Sequence, residues 1–199
     1  MPLLDAETPI AQNLFNLNVF APIRITQAFS PLLIATKGTI INIGSVAGFA
    51  PIYWQGYYNA SKAAVNILTD QLRLELAPFD VTVILVLAGG VKTKFSANLP
   101  TVTLPETSVY APAKENIEFA LKGGVVEGSR VDVDVFAEKV VKNALKKRPE
   151  THLVLGGSAT LLWVLATFLW HTIWDTVFAH FWKVGEVTKK IKAAGNKQG

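Results

Sequence analysis

Tyr57-Tyr58-Asn59-Ala60-Ser61-Lys62-Ala63-Ala64 is the stretch whose reading decides the fold. Tyr58 and Lys62 stand four residues apart, so on a helix they share one side, a turn from each other. An ammonium so placed is expected to lower the phenol pKa by direct charge stabilisation. A phenol tuned in that way can exchange a proton at neutral pH, as general acid–base chemistry requires. The residues downstream keep helical spacing: Ala63, Ile67, Leu68, Leu72 and Leu76 are expected inside, Arg73 and Glu75 outside, with Pro78 as the stop.

Working outward, Gly38-Thr39-Ile40-Ile41-Asn42-Ile43 reads as a buried, parallel strand, and Gly44-Ser45-Val46-Ala47-Gly48 leaves it. Ser45 lies thirteen residues before Tyr58, placed to hydrogen-bond a substrate oxygen beside that phenol. Val81 to Leu87 predicts a second buried strand and His152-Leu153-Val154-Leu155 a third. Pro9 to Leu33 reads as a helix with a kink at Pro22. Val131 to Lys147 reads as an amphipathic helix with Val133, Phe136, Val140, Val141 and Leu145 on one face. Val91 to Val109 has no clear period and reads as a loop. Helices alternating with strands predict an α/β fold with a doubly wound parallel sheet.

The chain of 199 residues is one domain by length, half hydrophobic and only 17% charged, so it is not disordered. It has no cysteine, which excludes disulfides and thiolate metal sites. The net charge of +4 comes largely from Lys142 to Arg148 and Lys183 to Lys197. Such patches suit a solvated helix end and tail, an anionic membrane surface or a phosphate-bearing substrate. No basic groove interleaved with aromatics points to nucleic acid. His171, Asp175 and His180 share approximate helical spacing, but no metal site is expected there.

The spacing Ser-x12-Tyr-x3-Lys at Ser45, Tyr58 and Lys62 resembles the active site of the short-chain dehydrogenase/reductase family. The resemblance runs from Leu3 to Phe181, with the motifs in family order. It implies a Rossmann-like sheet. By it, Asn18 in Leu17-Asn18-Val19-Phe20 matches the asparagine that holds a water in the proton relay. Ser45, Tyr58 and Lys62 match the catalytic serine and pair. Ala88-Gly89-Gly90-Val91-Lys92-Thr93 matches the turn that contacts the nicotinamide, with Gly89, Val91 and Thr93 among the cofactor residues. Ala88 stands where many members carry proline, which leaves the backbone donors of the turn in place.

Within the family the chain resembles most the fungal NADPH-dependent 1-acyldihydroxyacetone-phosphate reductases. Gln27 to Ile34, Thr69 to Leu76, Gly89 to Phe95, and Gly156-Gly157-Ser158 with Trp163, Phe168 and Thr172 to Asp175 carry that likeness. It implies NADPH as cofactor and a lipid ketone as substrate, at the cytosolic face of the endoplasmic reticulum or a lipid droplet. It also implies a homodimer through the Pro9–Leu33 and Tyr57–Leu76 helices. A reductase of retinoids, steroids or another lipid carbonyl is the nearer alternative, with the loop from Lys94 to Glu127 as the segment that would decide.

No Gly-x3-Gly-x-Gly turn follows a strand anywhere in the sequence. In the family that turn cradles the cofactor pyrophosphate at a helix N-terminus. By family size, roughly 80–100 residues of a first nucleotide-binding half are expected to be missing before Met1. The sheet is then expected to lose several strands and expose a hydrophobic edge. An incomplete product of a normal reductase gene is one explanation. A non-catalytic, membrane-associated remnant that pairs with a full-length reductase is the other.

The expected organisation is a catalytic portion over 1–157, an apolar helical segment over 158–184 and a basic flexible tail over 185–199. Leu153 to Trp174 contains no charged residue. Membrane-surface attachment, a substrate-covering or core helix, and a true span are the readings it allows.

Overall fold

The computed structural model describes residues 1–94 and 102–196. Three strands form one parallel sheet in the order β1-β2-β3: β1 (Thr39–Ile43), β2 (Thr82–Ala88) and β3 (His152–Leu155). The rungs run from Thr39↔Thr82 to Ile43↔Val86, then from Leu85↔His152 to Ala88↔Leu155. All three are the expected strands, in the expected parallel sense. β2 is central and buried on both faces, which explains its unbroken apolar run.

Helices cover both faces. On one, Ile40, Val81 and Val83 pack against Leu33 and Ile34 of α2 (Ala21–Thr36) and against Leu72 and Leu76 of α3 (Gly56–Leu76). On the other, Ile84, Val86 and Leu153 pack against Phe136, Val140 and Ala144 of α5 (Val133–Ala144). This is the doubly wound arrangement on a short sheet. The outer edge of β1 carries no partner strand among the described residues, and Ile41 and Ile43 stand exposed there.

The expected kink at Pro22 takes a particular form. The helix α1 (Thr8–Phe15) passes through a π-turn, Asn16–Phe20, before α2 begins, with Pro22 in the first turn of α2. Proline has no N–H to donate to the Asn18 carbonyl four residues before it, so the ladder is interrupted at Asn18.

Four expectations are corrected. Ile67 is 66% exposed; the line that faces the core is Ser61, Val65, Thr69, Leu72 and Leu76. On α5, Val133 and Val141 are exposed and Leu145 is 81% exposed, because the sheet meets the narrower face of Phe136, Val140 and Ala144. The stretch expected as a flexible basic tail folds as α8 (Val184–Gly195). Val187 and Ile191 of α8 pack on Leu104 and Ile117, burying one side while the lysines stay outside. The helix α4 (Lys114–Leu121) and the 3-10 turns around it lie in the region where no regular element was expected. Of the loop from Val91 to Val109, residues 95–101 lie outside the described residues, as do 197–199 of the tail.

The apolar segment after β3 forms α6 (Ala159–Phe168) and α7 (Ile173–Phe181). Trp174 stacks on Phe178 at 5.1 Å between centroids, and Phe178 meets Trp182 edge to face at 5.0 Å, over Ala50 and Ala120. Ten residues of α6 rise about 15 Å, half a bilayer core, so a span at this point is set aside. Among the described residues only Thr8–Thr36 is long and apolar enough to cross a membrane.

Candidate active site

Parallel strands end together, so β1 and β2 deliver their following turns to one edge of the sheet. Ser45 follows β1 and caps the 3-10 turn Val46–Gly48, accepting from the Ala47 N–H at 3.1 Å. Its hydroxyl donates to the Ala88 carbonyl, at the end of β2, at 3.2 Å. The side chain therefore bridges two strand ends.

Asn66 of α3 holds the Ser45 backbone from both sides. Its Oδ1 accepts from the Ser45 N–H at 3.3 Å and its Nδ2 donates to the Ser45 carbonyl at 3.0 Å. Sequence reasoning missed Asn66, although it lies four residues past Lys62, a polar residue on the inward side of α3. A β-carbon on Gly48 would stand 2.9 Å from the Lys62 backbone, so glycine is required where the serine turn crosses α3.

Tyr58 and Lys62 sit in the first two turns of α3, and a hydrogen bond joins Tyr58 to the Ser45 side chain. The Lys62 ammonium lies 6.0 Å from the Tyr58 ring centroid and donates to the Ile43 carbonyl at 3.1 Å. The expected lowering of the phenol by Lys62 is corrected here. Burial pushes the Tyr58 phenol above its ordinary value, and the Ser45 hydrogen bond opposes this only in part. Burial also lowers the Lys62 ammonium. Desolvation outweighs pairing because the ammonium turns to the end of β1 rather than to the phenol oxygen.

Asn18, in the π-turn, donates through Nδ2 to the Ser61 hydroxyl at 3.1 Å. Ser61 is wholly buried and donates in turn to the Tyr58 carbonyl at 2.8 Å. Asn18, Ser45, and the pair Tyr58 and Lys62 thus come from three parts of the chain, and Asn18 is linked to α3 between Tyr58 and Lys62.

The turn Gly89 to Thr93 follows at the end of β2. Its glycines are needed for close approach, since a β-carbon on Gly89 would meet the Gly157 carbonyl. Three of its backbone donors are engaged within the fold. The amides of Gly89, Gly90 and Lys92 donate to Leu155, Gly157 and Val131 at 2.7, 3.1 and 2.8 Å. Val91 bridges Val131, and Thr93 is exposed at the rim.

The donor set fits one end of a dinucleotide. The Lys62 ammonium and Tyr58 hydroxyl, on half-buried residues one turn apart on α3, suit a ribose diol next to a nicotinamide, with Thr93 at the edge. For the pyrophosphate no glycine-rich turn exists in the sequence. No cluster of three or more metal-ligating residues occurs among the described residues.

Comparison with known proteins agrees with the geometry. Residues 2–103 match the family model for short chain dehydrogenases. A short-chain dehydrogenase, fogD, of Aspergillus ruber is 35% identical over 198 residues, spanning all of this chain and 68% of the relative. Another, ptmH, of Penicillium ochrochloron is 41% identical over 149 residues, covering 74% of this chain and 54% of the relative. A short-chain dehydrogenase from Streptomyces avermitilis superposes with a TM-score of 0.70 over 95% of this chain and 66% of that one, at 24% identity, a likeness of fold. A Burkholderia cenocepacia short chain dehydrogenase solved in complex with NADP matches with a TM-score of 0.58 and 25% identity, over 91% of this chain and 65% of that one. The chain spans about two thirds of the length of the first of these relatives and about half of the second. On the matched family model and this kinship, the chain belongs to the short-chain dehydrogenase family.

Proposed function

We propose that this chain carries the catalytic portion of an NADPH-dependent oxidoreductase that reduces a ketone to a secondary alcohol. The observation that carries this reading is the convergence of Ser45, Tyr58 and Lys62 at the ends of β1 and β2. A bound nicotinamide supplies the hydride. The Tyr58 phenol, held protonated by burial, gives its proton to the carbonyl oxygen as that oxygen gains charge. Ser45, beside Tyr58, would turn its single hydroxyl proton from the Ala88 carbonyl to the same oxygen. Lys62 would hold the ribose hydroxyls, and Asn18 would hold a water that links the site to solvent. The hydride and the proton together convert C=O to CH–OH.

The finer reading is a lipid-type ketone, 1-acyldihydroxyacetone phosphate, reduced to 1-acylglycerol 3-phosphate. The stretches that resemble those reductases and the charge-free segment from Leu153 to Trp174 support it. So does the outer side of α6, where Leu161, Val164 and Phe168 stand exposed, followed by the lysines of α8. Those features suit attachment to an anionic membrane surface, such as the cytosolic face of the endoplasmic reticulum or a lipid droplet. Vesicle sedimentation tests it: full solubility with anionic vesicles at low salt rejects the attachment. Exposed Leu17, Phe20, Ile25, Phe29 and Leu32 on α1–α2 and Ile67 and Leu74 on α3 support a homodimer through these helices.

The second reading is a non-catalytic partner of a full-length reductase, favoured by the committed amides of Gly89, Gly90 and Lys92 and the missing glycine-rich turn. NADPH titration separates the two: saturable binding supports the enzyme, and none supports the partner. Tyr58→Phe is then expected to lower ketone-dependent NADPH oxidation by at least about a thousandfold, the scale of a lost general acid with its aligned oxygen, while NADPH still binds. Activity close to that of the unmodified chain sinks the mechanism.

A further inference from the structure

A cavity of about 380 Å³ lies between α3, the serine turn and the α6–α7 corner. It exists because small side chains face one another there: Ala60 and Ala63 on α3, Ala166 on α6. Phe49, Pro51, Leu169, Trp170 and Trp174 supply most of the remaining wall. Trp174 is a fixed floor, 2% exposed and stacked on Phe178, whereas Trp170 is 65% exposed at the mouth. The volume falls in the range of small-molecule sites, and the composition is that of an apolar site with few polar groups.

One of those polar groups is Asn59. Its Nδ2 donates to the Ile52 carbonyl at 2.8 Å, while its Oδ1 is buried with no hydrogen-bond partner among the described residues. A buried acceptor left unpaired costs about 1–3 kcal/mol, which a donor from a ligand would recover once the amide turns its oxygen from the wall into the cavity. This is a site apart from the reacting groups. Ser45, Tyr58 and Lys62 do not line it. At about 100° per residue, Asn59, Ala60 and Ala63 lie roughly 100°, 200° and 140° around α3 from Tyr58. It touches the catalytic turn from behind, through Ala47 and Gly48, and the Ala47 N–H is the donor that holds the Ser45 hydroxyl.

We propose that this cavity is a second binding site, for a flat apolar ring compound bearing one hydrogen-bond donor, seated against Trp170 and Trp174 and donating to Asn59. Occupancy presses on the turn that orients Ser45, so the bound molecule acts on the catalytic serine without meeting the phenol.

2-Naphthol is a suitable probe and naphthalene its donor-free control, read by the indole N–H and backbone amide resonances of the ¹⁵N-labelled full chain. The expected result is saturable shifts of the Trp170 and Trp174 indoles and of the Ala47 amide, with naphthalene bound at least about fivefold more weakly. Ala166→Phe, which fills the space, should weaken 2-naphthol at least about tenfold with the remaining spectrum unchanged. Asn59→Leu keeps the space and removes the acceptor, so it should abolish the preference for the naphthol. Shifts confined to other tryptophans overturn the proposal. So does undiminished binding to a folded Ala166→Phe chain, or a naphthol preference that survives Asn59→Leu.

Discussion

The two sides of α3 are built to opposite specifications. The inward side carries three engaged polar residues among the apolar Val65, Leu72 and Leu76: Ser61 joins Asn18 to the Tyr58 carbonyl, Asn66 grips Ser45, and Thr69 accepts from Asn42 Nδ2 at 3.0 Å. The outward side, with α1 and α2 beside it, is apolar and bare at Leu17, Phe20, Phe29, Ile67 and Leu74. The difference teaches that hydrogen bonds position the proposed catalytic groups, and that the bare side is where the proposed homodimer would form.

Mutations sharpen this contrast. Ile84, 1% exposed in the middle of β2, anchors the apolar core below the site. Ile84→Ala should cost about 2–5 kcal/mol, seen as the largest drop in urea midpoint of any single change considered. If the midpoint barely moves, the packing of β2 on α5 is wrong. Gly48→Ala strikes where the serine turn meets the backbone of α3. A loss of about 1–3 kcal/mol is expected, together with weaker turnover, since Ser45 must move with the turn. A stable, fully active Gly48→Ala chain breaks the claim that this contact sets the site.

The outward side should behave differently. Phe20→Asp with Phe29→Asp should leave the stability of the isolated chain within about 0.5 kcal/mol per site, as for other surface positions, but shift sedimentation towards the monomer. Unchanged sedimentation removes the homodimer from consideration. The smallest effect is expected at Lys37 and Asp80, paired at 2.7 Å in full exposure. Asp80→Asn should leave the melting temperature where it was.

Acidity extends the comparison. The raised Tyr58 phenol binds its proton more tightly folded than unfolded, so its contribution to stability is complete below the ordinary tyrosine value. It is lost as pH rises through the folded value. Lys62 runs the other way: with its folded value lowered, stability grows as pH rises from that value to the ordinary lysine range. Tyr58→Phe should therefore remove a fall in stability at alkaline pH, and Lys62→Met a rise below it. Denaturant midpoints across an alkaline series measure both.

The sheet and the placing of Ser45, Tyr58 and Lys62 at its strand ends were legible because their signals are local. Buried parallel strands read as continuous apolar runs, and Ser45, Tyr58 and Lys62 hold fixed intervals around them. What failed was the choice of helix face. Ile67 and Leu145 keep an apolar period, but periodicity cannot say which of two apolar stripes meets the sheet, and Thr69 and Asn143 are buried instead. Asn143 earns its place by exchanging hydrogen bonds with the backbone of Glu150. The phenol's direction was misread because spacing gives the Tyr58–Lys62 neighbourhood but not its burial. The fate of the Gly89, Gly90 and Lys92 amides was hidden because their acceptors lie some forty to seventy residues downstream.

The all-parallel register also governs how this chain must fold. Thr39 cannot meet Thr82 until α3 has formed and crossed the sheet, and Leu85 must wait in the same way for His152. Among the described residues no hairpin is present to act as an early seed, so assembly of this sheet is tied to the closure of long loops and is intrinsically slow. Meanwhile Thr39-Ile40-Ile41-Asn42-Ile43 offers other chains a short β-branched strand. During synthesis, the interval before α3 docks is when this strand is most exposed to wrong pairing, and a charge placed at Ile41 should raise the yield of refolding more than it alters the folded chain.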